Sequence, residues 1–196
     1  MKVLVKICGI TNVEDALAAI DAGADALGFN FWPRSPRYVS ADKARAILAV
    51  IPPGVLRVAV LVDEAEAPVE NIDVVQIHGA AAAGPGRRWW RALSAAPGLR
   101  ETIENSPQPE AFLVDTPAGE ARGGTGRAFD WSLAAGLPSR IILAGGLGPE
   151  NVAAALEAAR PFGVDACSRL ETEPGRKSHW KMRAFVEAVR KWEKSA

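Results

Sequence analysis

Val3-Leu-Val-Lys-Ile-Cys8, followed at once by Gly9-Ile-Thr-Asn12, opens the chain with a short apolar run that ends on a thiol. A second run, Ala111-Phe-Leu-Val-Asp115, ends on a carboxyl group. Both runs are typical of buried β-strands. In a parallel α/β barrel the catalytic side chains stand at the ends of strands. The two runs therefore predict acid–base chemistry by a thiolate and a carboxyl group acting on one substrate.

Strand and helix patterns alternate along the whole chain. Strands are predicted at Val3–Cys8, Ala26–Phe31, Leu56–Val62, Val74–His78, Trp89–Leu93, Phe112–Asp115, Ile141–Ala144 and Gly163–Ala166, and helices at Asn12–Ala22, Ala41–Val50, Pro149–Ala159 and His179–Lys194. This alternation indicates an α/β protein with parallel strands. Eight strands favour a closed (β/α)8 TIM barrel over an open doubly wound sheet. The open sheet is the alternative, but its three-glycine fingerprint is missing after the first strand.

Two crossover connections are short for a barrel. About eleven residues separate the third and fourth strands, and about ten separate the fourth and fifth, whereas a crossover with its helix usually needs ~10–12 or more. We therefore expect shortened third and fourth helices of one or two turns, at Ala67–Asn71 and Ala80–Ala83. No linker composition interrupts the chain, so residues 1–196 are expected to form a single domain.

Composition argues against several classes of protein. Lys and Arg number 23 and balance 23 Asp and Glu, which argues against nucleic acid or an anionic membrane as the main partner. No apolar stretch reaches the roughly 20 residues of a membrane span, and no signal-peptide pattern is present. Two cysteines, Cys8 and Cys167, are too few for a disulfide scaffold. They favour a cytoplasmic location.

Each of the two candidate acid–base residues also has a structural interpretation. An isolated cysteine is most often a small buried hydrophobic residue. Lys6, however, shares strand parity with Cys8, and a nearby ammonium group lowers a thiol pKa, which predicts a thiolate near neutral pH. Asp115 is either a cap for the following turn or a general acid whose pKa is raised by burial.

Three further positions indicate contacts with an anionic substrate. Arg37 lies in a basic loop after the second strand, where it is either solvated or placed to bind a carboxylate. Glycine-rich or polar strand ends, Gly145-Gly146 and Ser168-Arg169, follow the seventh and eighth strands, where this fold usually binds phosphate. Gln76 and His78 share parity on the fourth strand. They are predicted to line the site, with His78 not acting as the base.

These segments together resemble the phosphoribosylanthranilate isomerase family of tryptophan biosynthesis. The matching pieces, in family order, are Lys6-Ile-Cys-Gly-Ile-Thr11, Gly28-Phe-Asn-Phe with Ser35-Pro-Arg37-Tyr-Val, Val75-Gln-Ile-His-Gly79, Leu113-Val-Asp-Thr116, Gly123-Gly-Thr-Gly with Phe129-Asp-Trp131, Leu143-Ala-Gly-Gly-Leu with Pro149-Glu-Asn-Val152, and Gly163-Val-Asp165. They cover nearly the whole chain. The first piece is highly specific, whereas the glycine motifs alone are not.

The resemblance implies an Amadori rearrangement of N-(5-phosphoribosyl)anthranilate to 1-(2-carboxyphenylamino)-1-deoxyribulose 5-phosphate, with no metal or organic cofactor. It assigns the general base to Cys8, the general acid to Asp115 and the grip on the anthranilate carboxylate to Arg37. The full set of expected substrate-binding residues is Arg37, Gln76, His78, Gly124, Gly145, Gly146, Asp165, Ser168 and Arg169. The expected partner is a small phosphorylated substrate, and the protein is expected to be a monomer or homodimer.

The sequence also departs from the family pattern. Cys167-Ser168-Arg169 stands where the family usually has Ser-Ser-Gly, so Arg169 either obstructs the phosphate or binds it, and we favour the inward, binding orientation. Arg91 stands where a lysine is usual. The alternatives are a related dual-specificity sugar-phosphate isomerase barrel and a degenerate, non-catalytic barrel. The first normally uses two aspartates, and Cys8 and Asp115 argue against the second.

Overall fold

A computed structural model describes residues 2–117 and 129–196. Its eight parallel strands pair in chain order, and β8 pairs with β1 to close the barrel. The strands are β1 (Leu4–Cys8), β2 (Ala26–Asn30), β3 (Leu56–Val62), β4 (Val74–His78), β5 (Trp89–Ser94), β6 (Ala111–Asp115), β7 (Ile141–Leu143) and β8 (Gly163–Ala166). The predicted closed (β/α)8 barrel is confirmed, and each predicted strand boundary is correct to within one residue.

Five α-helices pack outside the barrel within the described residues. They are α1 (Val13–Asp21), α2 (Ala41–Leu48), α3 (Leu99–Glu104), α4 (Val152–Ala159) and α5 (His179–Ser195). Asn12 caps α1 by accepting from the Asp15 N–H at 2.8 Å, so the helix begins one residue later than predicted. Helix α4 begins three residues after the predicted Pro149. None of these helices is long and apolar enough to cross a membrane.

The third and fourth crossovers are shortened, as predicted, but further than expected. Residues 63–73 and 79–88 are all described and contain no helix, so the short helices placed at Ala67–Asn71 and Ala80–Ala83 do not form. Positive φ angles at Asp63 (54°), Asn71 (59°) and Gly79 (98°) interrupt the chain at these points. Left-handed residues stop a right-handed helix from propagating.

A small hairpin follows β8 and was not predicted. A 3-10 turn (Ser168–Leu170) leads into β9 (Glu171–Glu173), which pairs antiparallel with β10 (Arg176–Lys177). The Thr11 hydroxyl donates to the Gly175 carbonyl at 2.5 Å, which fixes the hairpin to the loop after β1. The hairpin therefore carries charged side chains to the carboxyl ends of the strands.

The core has two parts because alternate strand residues face opposite sides of the barrel wall. One cluster fills the barrel interior and includes Val58, Val74, Trp90, Leu113 and Ile142. The larger cluster lies between the barrel wall and the helices. The inward residues Cys8, His78 and Asp115, whose side chains can transfer protons, are the last residues of their strands and lie above this apolar layer.

Candidate active site

The first and last strands place two pairs of inward side chains one above the other. Lys6 is in register with Asp165, and its Nζ atom donates to Asp165 Oδ1 at 2.8 Å with the lysine side chain fully buried. The next inward positions, two residues further along each chain, are Cys8 and Cys167. Asp165, expected among the substrate-binding residues, thus forms a buried ion pair directly below the two thiols.

Cys8 does not have the low pKa that the sequence predicted. Its pKa is raised well above its ordinary value, chiefly by a hydrogen bond to Cys167 and then by burial. The positive charge of Lys6 acts in the opposite direction but is outweighed. The expected thiolate at Cys8 is therefore wrong, because the contact with Cys167 and burial outweigh the charge of Lys6, which is itself paired with Asp165.

Cys167 instead has the lowered pKa, at about 7. The main cause is its hydrogen bond with Cys8, and the positive charges of Lys177 and Arg37 lower it further against the effect of burial. Lys177 Nζ lies 3.6 Å from Cys167 Sγ and 3.3 Å from its carbonyl oxygen. From the sequence, Cys167 was noted as one of two cysteines and as a departure from the family, but it was not placed in the site. The strand register was the signal that could have placed it beside Cys8.

Arg37 is held by a carboxylate of the protein itself. Its Nε and Nη2 atoms donate to Glu171 at 3.2 and 2.7 Å, and Lys177 Nζ donates to the same carboxylate at 3.0 Å. A Cβ atom added to Gly9 would lie 3.0 Å from Arg37 Cγ, so the arginine stem passes close to the end of β1. Arg37 therefore reaches the strand end that carries Cys8, in a geometry fixed by Glu171. Nothing in the sequence pattern pointed to Glu171 or Lys177.

Asp115, at the end of β6, has the perturbed pKa that a general acid needs. Burial raises its pKa to about 6, and the negative charge of Asp165 adds to the effect. The Thr116 N–H, which donates to Asp115 Oδ1 at 2.7 Å, partly offsets the rise. A carboxyl group with a pKa near 6 keeps its proton in mildly acidic solution and retains a fraction of it near neutrality.

The predicted phosphate loop after β7 packs against this carboxyl group. Gly145 has a φ of +82°, and a Cβ atom there would stand 2.7 Å from Thr116 N and 3.0 Å from Asp115 Oδ1. Only glycine fits so close to another backbone. Gly146 also has positive φ, at 61°, and its carbonyl accepts from Asn151 Nδ2 at 2.9 Å.

At the end of β8 the structure contradicts the inward orientation favoured for Arg169. The Arg169 guanidinium forms an ion pair with Glu150, in the loop after β7, and its side chain is 39% exposed. The nearby acidic side chain and open solvent at the rim explain this direction. Ser168 begins the 3-10 turn at the same rim.

Gln76 and His78, both on β4, point into the barrel, as predicted from their parity. Gln76 Nε2 lies 3.0 Å from His78 Nε2. The Gln76 Oε1 atom is buried and has no hydrogen-bond partner within residues 2–117 and 129–196.

Gly124 lies outside the described residues. Arg91 is not at the site, because it is in register with Ile77 and Phe112 on the outer face of the wall.

No group of three or more His, Cys, Asp or Glu side chains among the described residues could hold a metal ion. The described part of the site contains a buried carboxyl group, two neighbouring thiols and their charged partners. These groups can transfer protons to and from a bound substrate.

Comparison with known proteins agrees with this chemistry. A family model described as N-(5'-phosphoribosyl)anthranilate (PRA) isomerase matches residues 5–188. The N-(5'-phosphoribosyl)anthranilate isomerase of Solibacter usitatus is 46% identical, with 95% of this chain and 97% of that protein covered. The protein of the same name from Pseudomonas fluorescens is 43% identical, with 94% and 97% covered.

Solved structures agree as well. Phosphoribosyl anthranilate isomerase from Thermotoga maritima superposes with a TM-score of 0.82 at 35% identity, covering 97% of this chain and all of that one. Another phosphoribosyl anthranilate isomerase, in complex with reduced 1-(o-carboxyphenylamino)-1-deoxyribulose 5-phosphate, gives 0.79 at 34% identity with the same coverage. The resemblance seen in the sequence is confirmed: the chain belongs to the N-(5'-phosphoribosyl)anthranilate isomerase family.

Proposed function

We propose that this chain catalyses the Amadori rearrangement of N-(5'-phosphoribosyl)anthranilate to 1-(2-carboxyphenylamino)-1-deoxyribulose 5-phosphate in tryptophan biosynthesis. The observation that carries the proposal is the placement of Asp115, a carboxyl group with a pKa of about 6, and the Cys8 thiol at strand ends of one barrel. Family membership supports the choice of substrate.

Asp115 is the general acid in this proposal. It donates its proton to the ring oxygen of the phosphoribosyl group, which breaks the bond between that oxygen and the carbon bearing nitrogen. The nitrogen lone pair forms the second bond of a protonated Schiff base as the ring opens. Burial supports this role because it keeps the carboxyl group protonated at a higher pH than an exposed aspartate.

Cys8 is the general base. It removes the proton from the sugar carbon next to the Schiff base, which gives an enolamine. The enolamine tautomerises to the ketone when the former Schiff-base carbon gains a proton and the enol hydroxyl loses one. Cys8 must first give up its own proton, and its hydrogen-bonded neighbour Cys167, with a pKa of about 7, is the acceptor at hand. The two sulfurs together then hold the one negative charge that proton abstraction requires.

The charged groups around the mouth hold the substrate. Arg37 is oriented through Nε and Nη2, and its Nη1 atom makes no hydrogen bond within the described residues, so Nη1 is the donor we assign to the anthranilate carboxylate. Backbone N–H groups of Gly145, Gly146 and Ser168 are assigned to the phosphate, without direct help from Arg169. The buried Gln76 Oε1 is assigned to a substrate hydroxyl or to a bridging water.

The decisive experiment follows the fluorescence of freshly prepared phosphoribosylanthranilate with purified protein. We expect enzyme-dependent loss of the signal and formation of the ketone product. Cys8→Ser is expected to lower kcat by at least ~10²-fold, with thermal melting as the control for folding. Absence of turnover by the unmodified, folded protein would overturn the proposal. Turnover of the corresponding histidine-pathway substrate would favour the dual-specificity alternative.

We also propose that the protein works in the cytoplasm on this small phosphorylated substrate, as a monomer or homodimer. Two free thiols in one site support a reducing compartment. The Thermotoga maritima relative is described as dimeric. Sedimentation equilibrium of the purified chain distinguishes the two oligomeric states.

A further inference from the structure

The strand register places both cysteines of this chain at adjacent positions on the barrel wall. We propose that Cys8 and Cys167 are a reversible disulfide site, which a low-molecular-weight disulfide closes and a thiol reopens. The site itself is inferred from the structure alone, and only its effect on turnover rests on the function proposed for Cys8.

Cys8 and Cys167 are close enough for a disulfide bond. Strands β1 and β8 pair through Lys6 with Asp165 and Ile7 with Ala166. Cys8 is the next residue of β1, and Cys167 is the first residue after β8. Adjacent strands lie ~4.8 Å apart, which is inside the ~4.4–6.8 Å range of Cα separations that a disulfide spans. The Lys6–Asp165 contact two residues earlier shows that inward side chains at this seam meet.

The two side chains also have a suitable direction, since two cysteines bond only if their sulfurs point toward each other. Each thiol is the largest cause of the other's shifted pKa, which requires the two side chains to approach each other. On the far side, a Cβ atom at Gly28 would lie 2.8 Å from Cys8 Sγ, and one at Gly9 would lie 3.0 Å from Cys167 Sγ. Gly9 therefore leaves room for Cys167 Sγ against the end of β1, next to Cys8, and Gly28 on β2 leaves room for Cys8 Sγ.

Cys167 is the more reactive of the two thiols. Arg37 and Lys177 bring two positive charges, and Glu171 alone brings one negative charge. A thiolate at Cys167, 3.6 Å from Lys177 Nζ, restores neutrality. Thiolate is the nucleophile in thiol–disulfide exchange. Cys167 is also less buried than Cys8, so an oxidant meets Cys167 first.

The exchange balances with oxidised glutathione as the oxidant. The Cys167 thiolate attacks one glutathione sulfur, which forms a mixed disulfide and expels the first glutathione thiolate. Cys8 loses its proton to that thiolate, and its sulfur then attacks the sulfur of Cys167 and expels the second glutathione. The protein loses two electrons, which reduce one disulfide to two thiols. The Cys8 sulfur is then bonded to Cys167 and cannot accept a substrate proton.

The test is intact-mass spectrometry of the reduced chain after incubation with oxidised glutathione. We expect the wild-type protein to lose the mass of two hydrogen atoms without retaining glutathione, and a non-reduced digest to give a peptide joining Cys8 to Cys167. Dithiothreitol should restore the original mass. Cys167→Ser and Cys8→Ser serve as matched controls, and each should retain one glutathione or none.

Turnover measured on the same samples links the site to the proposed function. Activity should fall in proportion to the internal disulfide and return with dithiothreitol. Cys167→Ala should form no internal disulfide with oxidised glutathione. Its activity after treatment is compared with the rate of the same variant before treatment. Stable glutathione adducts on both wild-type cysteines, or a disulfide between two chains, would overturn the disulfide site. Unchanged turnover with the internal disulfide present would instead overturn the role of Cys8.

Discussion

Ionisation of the buried Asp115 carboxyl group lowers the free energy of unfolding. Its pKa is about 6 in the folded protein against an ordinary value of 3.8, so folding disfavours its charged form. Stability from this group is therefore highest below pH 4, falls as the pH rises toward 6, and stays reduced above that. The energetic penalty at neutral pH is up to about 3 kcal/mol.

Asp115→Asn should therefore separate activity from stability. The amide cannot donate the catalytic proton, so we expect kcat to fall by at least ~10²-fold. At pH 8 the variant should unfold at a higher temperature than the wild type, because no buried charge is left beside Asp165, and at pH 3.5 the difference should vanish. Calorimetry at both pH values checks this. A variant that is less stable at pH 8 would favour the turn-cap interpretation of Asp115.

Cys8 and Cys167 titrate as a pair, so changing one thiol should shift the other. The hydrogen bond to Cys167 is the largest cause of the raised Cys8 pKa, whereas Lys6 lowers it. Cys167→Ala removes the hydrogen bond that raises the Cys8 pKa and keeps the Lys6 charge that lowers it. We expect iodoacetamide to alkylate Cys8 at lower pH in this variant than in the wild type, as measured by peptide mass spectrometry across a pH series. An unchanged or higher midpoint would contradict the coupling.

Arg37 should contribute to binding more than to the chemical step. Loss of a charge-assisted hydrogen bond costs roughly 1.5–3 kcal/mol, so Arg37→Ala should raise KM by about 10- to 150-fold with a smaller effect on kcat. Arg37→Lys is the matched control, since it keeps the charge but loses the paired contact with Glu171. Steady-state kinetics of both variants decide the point. If neither constant changes, Arg37 is only a structural partner of Glu171.

The strands and helices that could be predicted from the sequence are those determined by a local pattern of apolar and turn residues. Each of the eight strands is an apolar run bounded by turn residues, so all eight were found. Helix α3 was missed because it has six residues and no side-chain cap. The β9–β10 hairpin was missed because its strands are short and mostly polar, and contacts such as Thr11 with Gly175 hold it in place. Glu171 and Lys177 were missed with it.

The hairpin's buried charges should matter for stability. The Lys177 side chain is fully buried and bonded to Glu171, and breaking a buried ion pair typically costs about 3–5 kcal/mol. Arg37 still compensates Glu171, so we expect Lys177→Met to lose stability toward the lower end of that range. Arg176→Met is the matched control, because its ion pair with Glu173 is exposed. Urea unfolding should show a clear loss for the first and little change for the second; equal effects would contradict the argument.

At the scale of the whole molecule, barrel closure determines which residues meet. The alternation of strands and helices predicted closure, and closure brings Cys8 beside Cys167 although 159 positions separate Lys6 from Asp165 just below them. Strand ends were therefore sufficient to propose an acid, a base and a phosphate loop on one side of the barrel. The sequence did not indicate which charges would pair, such as Arg37 with Glu171 or Arg169 with Glu150. Those pairings depend on loop conformations that no local pattern encodes.

Closure also makes the site depend on the last helix, which follows the hairpin directly and packs beside β1 from the other end of the chain. Helix α5 buries Phe185 completely, and Arg190 Nη1 donates to the Val3 carbonyl at 2.8 Å next to β1. Phe185→Ala should lower the free energy of unfolding by about 3–5 kcal/mol, whereas Trp180→Ala on the same helix, at a side chain 73% exposed, should change it little. The first and last strands together form the seam that holds the thiols, so the site should be lost when the barrel opens. In urea, the Phe185→Ala variant should therefore lose its activity and its far-ultraviolet circular dichroism signal in the same transition. Activity that survives after the helical signal is lost would show that α5 is dispensable for closure.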